Sequence, residues 1–295
     1  MLTYTITPRD HCLRFEGYLR SLMPQAPAGY VRKLIKNGAV RLNGAAAGID
    51  TPIFTSDIVV LKESAALTAQ LAASPLPLDV LYEDDRIAII NKVAGLPMHR
   101  TAEREPNLVD SAAACFSGVD KFYPVNRIDR GTSGAVILAK SSSSAGIYGR
   151  HVKENGLDKL YLALVRGIPE MAGLIDTPLD DKESVTRFRM LQAGDGAALL
   201  AVVPVSGRMH QIRRHLQMTG HPVLGDKRYG GGECAGYAGF CLHSFRTVLE
   251  RPGAGPLTVC APFPYGLLEV CSRFSVMPDR VLERLKLIVT GKEQL

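Results

Sequence analysis

A single carboxylate stands between two arginines in a short polar segment of the sequence, residues 126–134. Asp129 is this carboxylate, and Arg127 and Arg130 flank it. The apolar run 135–139 predicts a buried strand, which places Asp129 on a tight loop at its mouth. Loops on a rigid strand often hold catalytic groups. An Asp in this position can also turn the chain or form a surface ion pair.

A second candidate is a tyrosine on a predicted strand over residues 159–167. Leucines alternate along this strand and point to one face, whereas Lys159 and Tyr161 point to the other. Tyr161 therefore shares a strand face with a cation. Such a tyrosine either caps a sheet edge or offers a flat ring to a ligand.

Polar residues also follow a predicted helix further along the chain. Apolar residues recur at helical spacing over 206–216, so we predict a helix there that ends before Gly220. Its edge would carry a polar row of His210, Arg213 and Gln217. A glycine-bracketed basic loop, 221–230, comes next.

Six segments together resemble the motifs of the RluA-type pseudouridine synthases, in the order that the family has them. Each motif alone is weak, but their order across about residues 80–265 is specific. Residues 91–99 resemble N-K-P-x-G-x-x-x-H, 126–134 resemble H-R-L-D-x-x-T-S-G, 159–161 resemble K-x-Y, 207–216 resemble G-R-T-H-Q-I-R-x-H-L, 225–230 resemble G-D-x-x-Y-G and 242–244 resemble L-H-A.

The chain departs from the family pattern at four positions. Asn126 stands where the family usually has His, Ile128 replaces Leu, Val93 replaces Pro and Met209 replaces Thr. None of these changes removes the Asp, the Tyr or the Arg residues, so we expect the reaction class to be retained. Which uridine is converted, and how fast, stays open.

The resemblance implies an isomerase that moves uracil from a ribose–nitrogen to a ribose–carbon bond. Asp129 would act as nucleophile or charge partner of the sugar, Tyr161 would stack on the base or transfer a proton, and Arg213 would pair with Asp129. Arg127 would take the place of the flipped base. The reaction has no redox change and no net hydrolysis, so we expect no cofactor and no metal. The remaining predicted RNA contacts of this region are Arg130, Arg208, His210 and Gln211.

The N-terminal fifth of the chain is basic. Residues 1–62 hold eight basic and four acidic residues, a balance of +4 out of +6 for the whole protein. A helix predicted over 30–37 turns Arg32, Lys33 and Lys36 outward, and strands and a tight turn follow it. This pattern resembles the small RNA-binding module named for a ribosomal protein. An ordinary solvated amphipathic helix would have the same pattern.

Strand patterns outnumber helical ones after this region. We therefore predict an α+β protein: a small α/β RNA-binding module over 1–62, a linker over 63–78, and a catalytic domain over 79–295. The catalytic domain should hold a mixed, mainly antiparallel sheet with peripheral helices, the fold of pseudouridine synthases.

Composition sets the remaining expectations. The 295 residues are 46% hydrophobic, enough for a sizeable core, and the net charge of +6 favours a polyanionic partner. No apolar run is long enough to span a bilayer and no secretory segment is recognisable. Six scattered cysteines favour a reducing compartment over a disulfide framework. We expect a cytoplasmic monomer that binds ribosomal or transfer RNA, with no membrane and no required protein partner.

Two other function classes stay open at this stage. A non-catalytic RNA-binding or maturation protein could keep the fold, but it would have no need for Asp129, Tyr161 and Arg213 together. A single-carboxylate hydrolase of nucleosides or sugars is the other class. It lacks support because the sequence has no glycosidase-like carboxylate pair and such an enzyme would not need a basic N-terminal module.

Overall fold

The computed structural model describes residues 1–6, 12–23, 26–64, 66–67, 78–100 and 106–277, with 281, 284, 285 and 288. Most of the predicted linker, 65 and 68–77, therefore lies outside the described residues. The chain forms two compact units, one of residues 1–78 with 99–122 and the other of 79–98 with 123–295. The sequence analysis had assigned 99–122 to the catalytic domain.

In the residues that the structure describes, the first unit holds a small antiparallel sheet and three helices with defined bounds. Its sheet has the strand order β1-β3-β2, and its core contains Phe15, Leu19, Val31 and Leu61. Its elements are β1 (Leu2–Thr5), α1 (Phe15–Leu22), α2 (Ala28–Lys36), β2 (Val40–Leu42), β3 (Ile58–Leu61) and α3 (Leu108–Cys115).

Helix α2 confirms the amphipathic pattern read from the sequence. It begins two residues before the predicted start and buries Val31 and Ile35. Arg32, Lys33 and Lys36 are exposed, and Arg32 donates to Glu16 at 2.8 Å. The remaining two cations therefore stand on the surface of the helix.

The second unit is built on one ten-stranded sheet. Eight strands follow the order β4-β5-β7-β12-β8-β11-β10-β9, while β6 pairs with β7 and β13 with β12. The strands are β4 (Asp79–Glu83), β5 (Ile87–Lys92), β6 (Tyr123–Pro124), β7 (Ser133–Ala139), β8 (Asp158–Arg166), β9 (Ala172–Ile175), β10 (Thr186–Ala193), β11 (Ala197–Pro204), β12 (Leu242–Arg251) and β13 (Gly255–Cys260), and the helices are α4 (Ser142–Asn155), α5 (Gln211–Met218) and α6 (Tyr265–Arg273). All named pairings are antiparallel except β7 with β12, which confirms the mixed, mainly antiparallel α+β sheet.

The parallel pairing of β7 with β12 explains two of the sequence motifs. A Cβ atom at Gly134 would lie 2.3 Å from the carbonyl oxygen of Ser244, so only glycine allows the strands to approach. One residue earlier, Ser133 Oγ bonds His243 Nδ1 at 2.9 Å. These contacts fix the strand that follows Asp129.

The predicted helix over 206–216 is wrong at its beginning. Helix α5 begins only at Gln211, because His210 adopts left-handed backbone angles (φ 55°, ψ 24°). The side chain of Gln211 holds the preceding loop: its Oε1 accepts from Arg208 N at 3.0 Å and from Ser206 Oγ at 2.7 Å. His210 therefore precedes the helix and is not part of a helical row. The end is as predicted, with Gly220 at φ +83°.

In the part of the chain that the structure describes, no helix combines the length and the apolar character needed to cross a bilayer.

Candidate active site

A cleft in the second unit gathers most of the predicted site residues. Its volume is about 110 Å³, several times the space that one buried water needs. It opens between the turn before β7, strand β8 and the loop that leads into α5. The lining residues are Arg127, Ile128, Asp129, Thr132, Lys159, Tyr161, Pro204, Ser206, Gly207, Arg208, His210, Gln211, Ile212, Arg213 and Leu242.

Asp129 and Arg213 form an ion pair in this cleft. Arg213 Nη1 donates to Asp129 Oδ2 at 2.7 Å, and the Asp129 side chain is 28% exposed while that of Arg213 is 6% exposed. The pairing suggested by the family resemblance is thus present. It leaves one face of the carboxylate open to the cleft.

A second carboxylate, that of Asp226, also binds the guanidinium of Arg213. Arg213 Nε and Nη2 donate to the two oxygens of Asp226 at 2.6 and 2.9 Å, and the Asp226 side chain is only 1% exposed. The guanidinium also lies on two rings, with its carbon 4.1 Å from the centroid of Phe240 and 4.9 Å from that of Tyr229. These contacts leave a single orientation from which Nη1 reaches Asp129.

Arg213 remains charged despite its burial. Burial disfavours its charged form, but the hydrogen bonds to Asp226 and Asp129 outweigh that effect and raise the pKa of Arg213 above its ordinary value. A fixed positive charge therefore stands beside Asp129.

Buried backbone contacts hold the turn that carries Asp129. Thr132 N donates to Asp129 O at 3.1 Å. Lys92, which is 1% exposed, donates from Nζ to the carbonyl oxygens of Val93, Leu96 and Arg130 at 3.0, 2.7 and 3.0 Å. Burial lowers the pKa of Lys92 to about 7, although the nearby charge of Asp129 opposes the shift. The turn is thereby fastened to the segment after β5.

His210 is a third polar neighbour of Asp129. Its Nε2 lies 3.8 Å from Asp129 Oδ1, and its Nδ1 bonds the hydroxyl of Tyr229 at 3.0 Å. Burial lowers the pKa of His210, against the opposing charge of Asp129. The surroundings of the imidazole therefore favour its uncharged form.

Tyr161 and Lys159 line the wall of the cleft on β8. Tyr161 is 6% exposed, and Lys159 Nζ lies 5.8 Å from the centroid of its ring. Both side chains are on the strand face that the alternation predicts. The ring and the ammonium group are therefore available to one ligand in the cleft.

The other side chains predicted to contact RNA differ in the hydrogen bonds that they form within the protein. Arg127 is exposed on the cleft lining, and the structure records no ion pair between it and Asp129. Arg130 Nε donates to Gly95 O at 3.0 Å and Arg208 Nε to Glu183 O at 3.2 Å, both on the surface. Gln211 uses its Nε2 for Val185 O and Thr186 Oγ1, at 2.9 and 3.1 Å. This makes Gln211 a residue that positions its loop.

The two departures from the family pattern nearest to the site, Asn126 and Met209, lie in different surroundings. Asn126 Oδ1 accepts from Ile137 N at 2.8 Å, so this side chain secures β7 from outside the cleft. Met209 is 65% exposed and does not line the cleft. Neither residue replaces a group that contacts Asp129.

Several supporting residues of the site are not predicted from the sequence. Asp226 and Tyr229 lay inside a recognised motif, 225–230, but nothing in the sequence indicated that they face Arg213. Lys92 lay inside the motif at 91–99. Phe240 carried no signal at all.

Among the described residues, no three His, Cys, Asp or Glu side chains lie close enough together to bind a metal.

Comparisons with known proteins identify relatives of this chain. A family model described as RNA pseudouridylate synthase matches residues 86–218, which include Asp129, Tyr161 and Arg213. An uncharacterised RNA pseudouridine synthase of Synechocystis is 30% identical over 281 residues, covering 85% of this chain and 86% of the relative. The ribosomal large subunit pseudouridine synthase C of Escherichia coli is 28% identical over 296 residues, covering 89% and 93%.

Solved structures add a likeness of fold. Human RNA pseudouridylate synthase domain containing 4 aligns with a TM-score of 0.57 at 22% identity, covering 67% of this chain and 93% of that one. Human RNA pseudouridylate synthase domain containing 1 aligns with a TM-score of 0.55 at 24% identity, covering 72% and 96%.

Proposed function

The chain belongs to the RluA-type RNA pseudouridine synthases, and we propose that it converts uridines of ribosomal RNA to pseudouridine with Asp129 as its catalytic residue. The ribosomal target is supported by the relatives named ribosomal large subunit pseudouridine synthase C, which align over most of both chains. Transfer RNA is the other target class.

The reaction is a balanced isomerisation. The bond between ribose C1′ and ring N1 breaks, the uracil rotates, C1′ joins ring C5, and the proton lost from C5 is replaced by one gained at N1. The ion pair of Asp129 with Arg213 at 2.7 Å is the observation that carries the proposal. It holds an anion in the cleft, where the anion can form a bond to the substrate or stabilise a cationic sugar.

The uridine must leave its helix or loop to reach this carboxylate. Flipping a base costs a few kcal/mol, and stacking on an aromatic side chain returns about 1–3 kcal/mol. We assign the stacking to Tyr161, whose ring lines the cleft. Arg127, exposed at the cleft and without an ion pair to Asp129, is assigned to the space that the flipped base vacates.

We assign further RNA contacts to polar and basic side chains around the reacting centre and in the first unit. Arg130, Arg208 and His210 adjoin the cleft. In the first unit, the exposed Lys33 and Lys36, with Arg32, are assigned to phosphate contacts. Such contacts supply affinity without reading the sequence.

The test compares the parent with Asp129→Asn on two transcripts that lack pseudouridine, one a fragment of large-subunit ribosomal RNA and one a transfer RNA. Asparagine keeps the size but not the charge, so turnover should fall at least about 1,000-fold while RNA affinity stays within about twofold. Pseudouridine is quantified after nuclease digestion by mass spectrometry.

Four results would contradict the proposal in different ways. Residual activity within tenfold of the parent would remove Asp129 from the chemistry. Free uracil without pseudouridine would indicate a hydrolase, and RNA binding without either product would indicate a non-catalytic protein. Conversion of the transfer RNA alone would reject the ribosomal target.

A further inference from the structure

Two cysteines face each other in the wall behind Arg213. The sulfur atoms of Cys234 and Cys241 lie 3.7 Å apart, and both are free thiols. Cys241 is completely buried immediately before β12, whereas Cys234 is partly exposed. Neither takes part in the proposed isomerisation.

The backbone around the two thiols differs in rigidity. Cys241 is anchored on both sides, because its N donates to Leu224 O at 2.8 Å and its O accepts from Leu164 N at 2.9 Å. Cys234 lies between Gly232 and Gly236, which both have positive φ. A disulfide needs a sulfur separation of about 2.0 Å. The movement required can come from the Cys234 side of the pair.

The surroundings make one thiol reactive and leave the other as its partner. The hydrogen bond from Cys241, helped by the charge of Arg273 and opposed by burial, lowers the pKa of Cys234 to about 7. The same hydrogen bond, with burial, raises the pKa of Cys241. Arg273 is held beside the loop by donation from its Nη1 to Ala235 O at 2.6 Å. A partly exposed thiolate next to a second thiol is typical of redox-sensitive pairs.

We propose that Cys234 and Cys241 are a modification site that hydrogen peroxide converts to a disulfide and that a dithiol reduces back to two thiols. The Cys234 thiolate attacks the peroxide, which is reduced to water as Cys234 becomes a sulfenic acid. The Cys241 sulfur then displaces water from that sulfenic acid. Two thiols lose two electrons and two protons in total, and one peroxide yields two waters.

The disulfide would be a cross-link in the wall of the cleft. It closes the segment 234–241, which carries Tyr237 and Phe240. Tyr237 bonds Ser133 Oγ at 3.1 Å and Phe240 lies against Arg213. Because Cys241 is anchored next to Phe240, the contact with Arg213 should persist. Oxidation should therefore leave turnover within about twofold and raise the melting temperature by roughly 5–10 °C.

The experiment exposes the reduced full-length protein to one equivalent of hydrogen peroxide at pH 7 and follows each cysteine by alkylation and peptide mass spectrometry. We expect Cys234 to react on the order of tenfold faster than Cys260, whose thiol pKa is raised by burial. The product should be a 234–241 cross-link that dithiothreitol reverses, together with the rise in melting temperature.

Variants separate the two steps of the modification. Cys241→Ser should stop at a dimedone-reactive sulfenic acid on Cys234, and Cys234→Ser should leave Cys241 reduced. Cys260→Ser is the matched control and should cross-link like the parent. Equal oxidation of all six cysteines, a cross-link from Cys241 to Cys271, or no cross-link in the folded parent would overturn the proposal, independently of any pseudouridine assay.

Discussion

Two neighbouring arginines of α5 make the same ion pair in opposite surroundings. Arg213 bonds Asp226 through two nitrogens at 2.6 and 2.9 Å, and Arg214 bonds Asp180 at 2.8 and 3.0 Å. The side chains of the first pair are 6% and 1% exposed, and those of the second are 20% and 62% exposed. A two-bonded Arg–Asp pair thus occurs once out of reach of water, through Nε and Nη2, and once largely within it, through Nη1 and Nη2.

The difference teaches that burial decides what an ion pair does. A buried charge that loses its partner stays unsolvated, whereas an exposed one is rehydrated at little cost. The inner pair also has a third member, Asp129. We therefore read the Asp226–Arg213 pair as a support for the reacting carboxylate and the Asp180–Arg214 pair as surface structure.

Among the variants that test this contrast, Asp226→Asn should have the largest effect. Removing the charge leaves Arg213 buried with half of its carboxylate partners, which should cost about 3 kcal/mol in the free energy of unfolding. A guanidinium that shifts by about 1 Å misplaces Asp129, so turnover should fall on the order of 100-fold. Urea unfolding and single-turnover conversion measure the two effects.

Asp180→Asn is the matched control, because Asp180 is the partner of the neighbouring arginine, Arg214. It should change neither unfolding nor turnover measurably, because the carboxylate of Asp180 is mostly in water. Equal behaviour of the two variants would show that burial does not distinguish the pairs.

A second contrast is between a buried and an exposed tyrosine. Tyr161→Phe keeps the stacking ring but removes the hydroxyl, so we expect RNA binding to be preserved and the chemical step to slow by about 100-fold. Tyr265, which is 77% exposed, supplies the control variant Tyr265→Phe. If the single-turnover rates of both variants match the parent, the Tyr161 hydroxyl has no part in proton transfer.

Low pH should reduce the stability of the folded protein through the buried His243. Burial lowers the pKa of His243 from 6.5 to about 4. Between these values the unfolded state binds a proton that the folded state does not, so stability falls as pH falls from 7 to 5. The expected loss is about 2 kcal/mol from this one residue.

Denaturant unfolding at pH 7 and pH 5 measures this loss. His243→Asn has no titrating ring at this position, so its stability should depend less on pH than that of the parent by the same amount. Parallel pH profiles of parent and variant would contradict the assignment.

The smallest effect per residue is expected for RNA affinity, from substitutions on the surface of the first unit. Lys33→Ala with Lys36→Ala should reduce the slope of log affinity against log salt by about two and leave turnover at saturating RNA unchanged. Arg150→Ala with Lys153→Ala removes the same charge from exposed positions of α4 and is the control. An equal change of slope in both double variants would make α2 an ordinary solvated helix.

The sequence predicted strands and turns well because their signals are local. Alternation placed Tyr161 and Lys159 on one strand face, and the glycine-rich segment placed Asp129 on a turn. Motif order also suggested the pairing of Asp129 with Arg213, which lie 84 residues apart. Each of these inferences needed only short windows or a known family pattern.

The errors came from tertiary contacts that short windows do not contain. Helix α5 begins late because the side chain of Gln211 bonds back to its own loop and His210 turns left-handed. Residues 99–122 join the first unit although the sequence runs through the second unit on either side. The partners of Asp226 and Phe240 depend on how distant strands meet.

The pairing of β7 with β12 determines how early during its synthesis the enzyme can become active. Ser133 and His243 are 110 residues apart in the chain. During synthesis at ~5–20 residues per second, β12 follows β7 by roughly 5–20 s. The turn that carries Asp129 is therefore synthesised early. The strand that follows it, β7, lacks its partner β12 until the last fifth of the chain is translated. A nascent chain shorter than this already contains Asp129, Tyr161 and Arg213, and still lacks the strand that completes their frame.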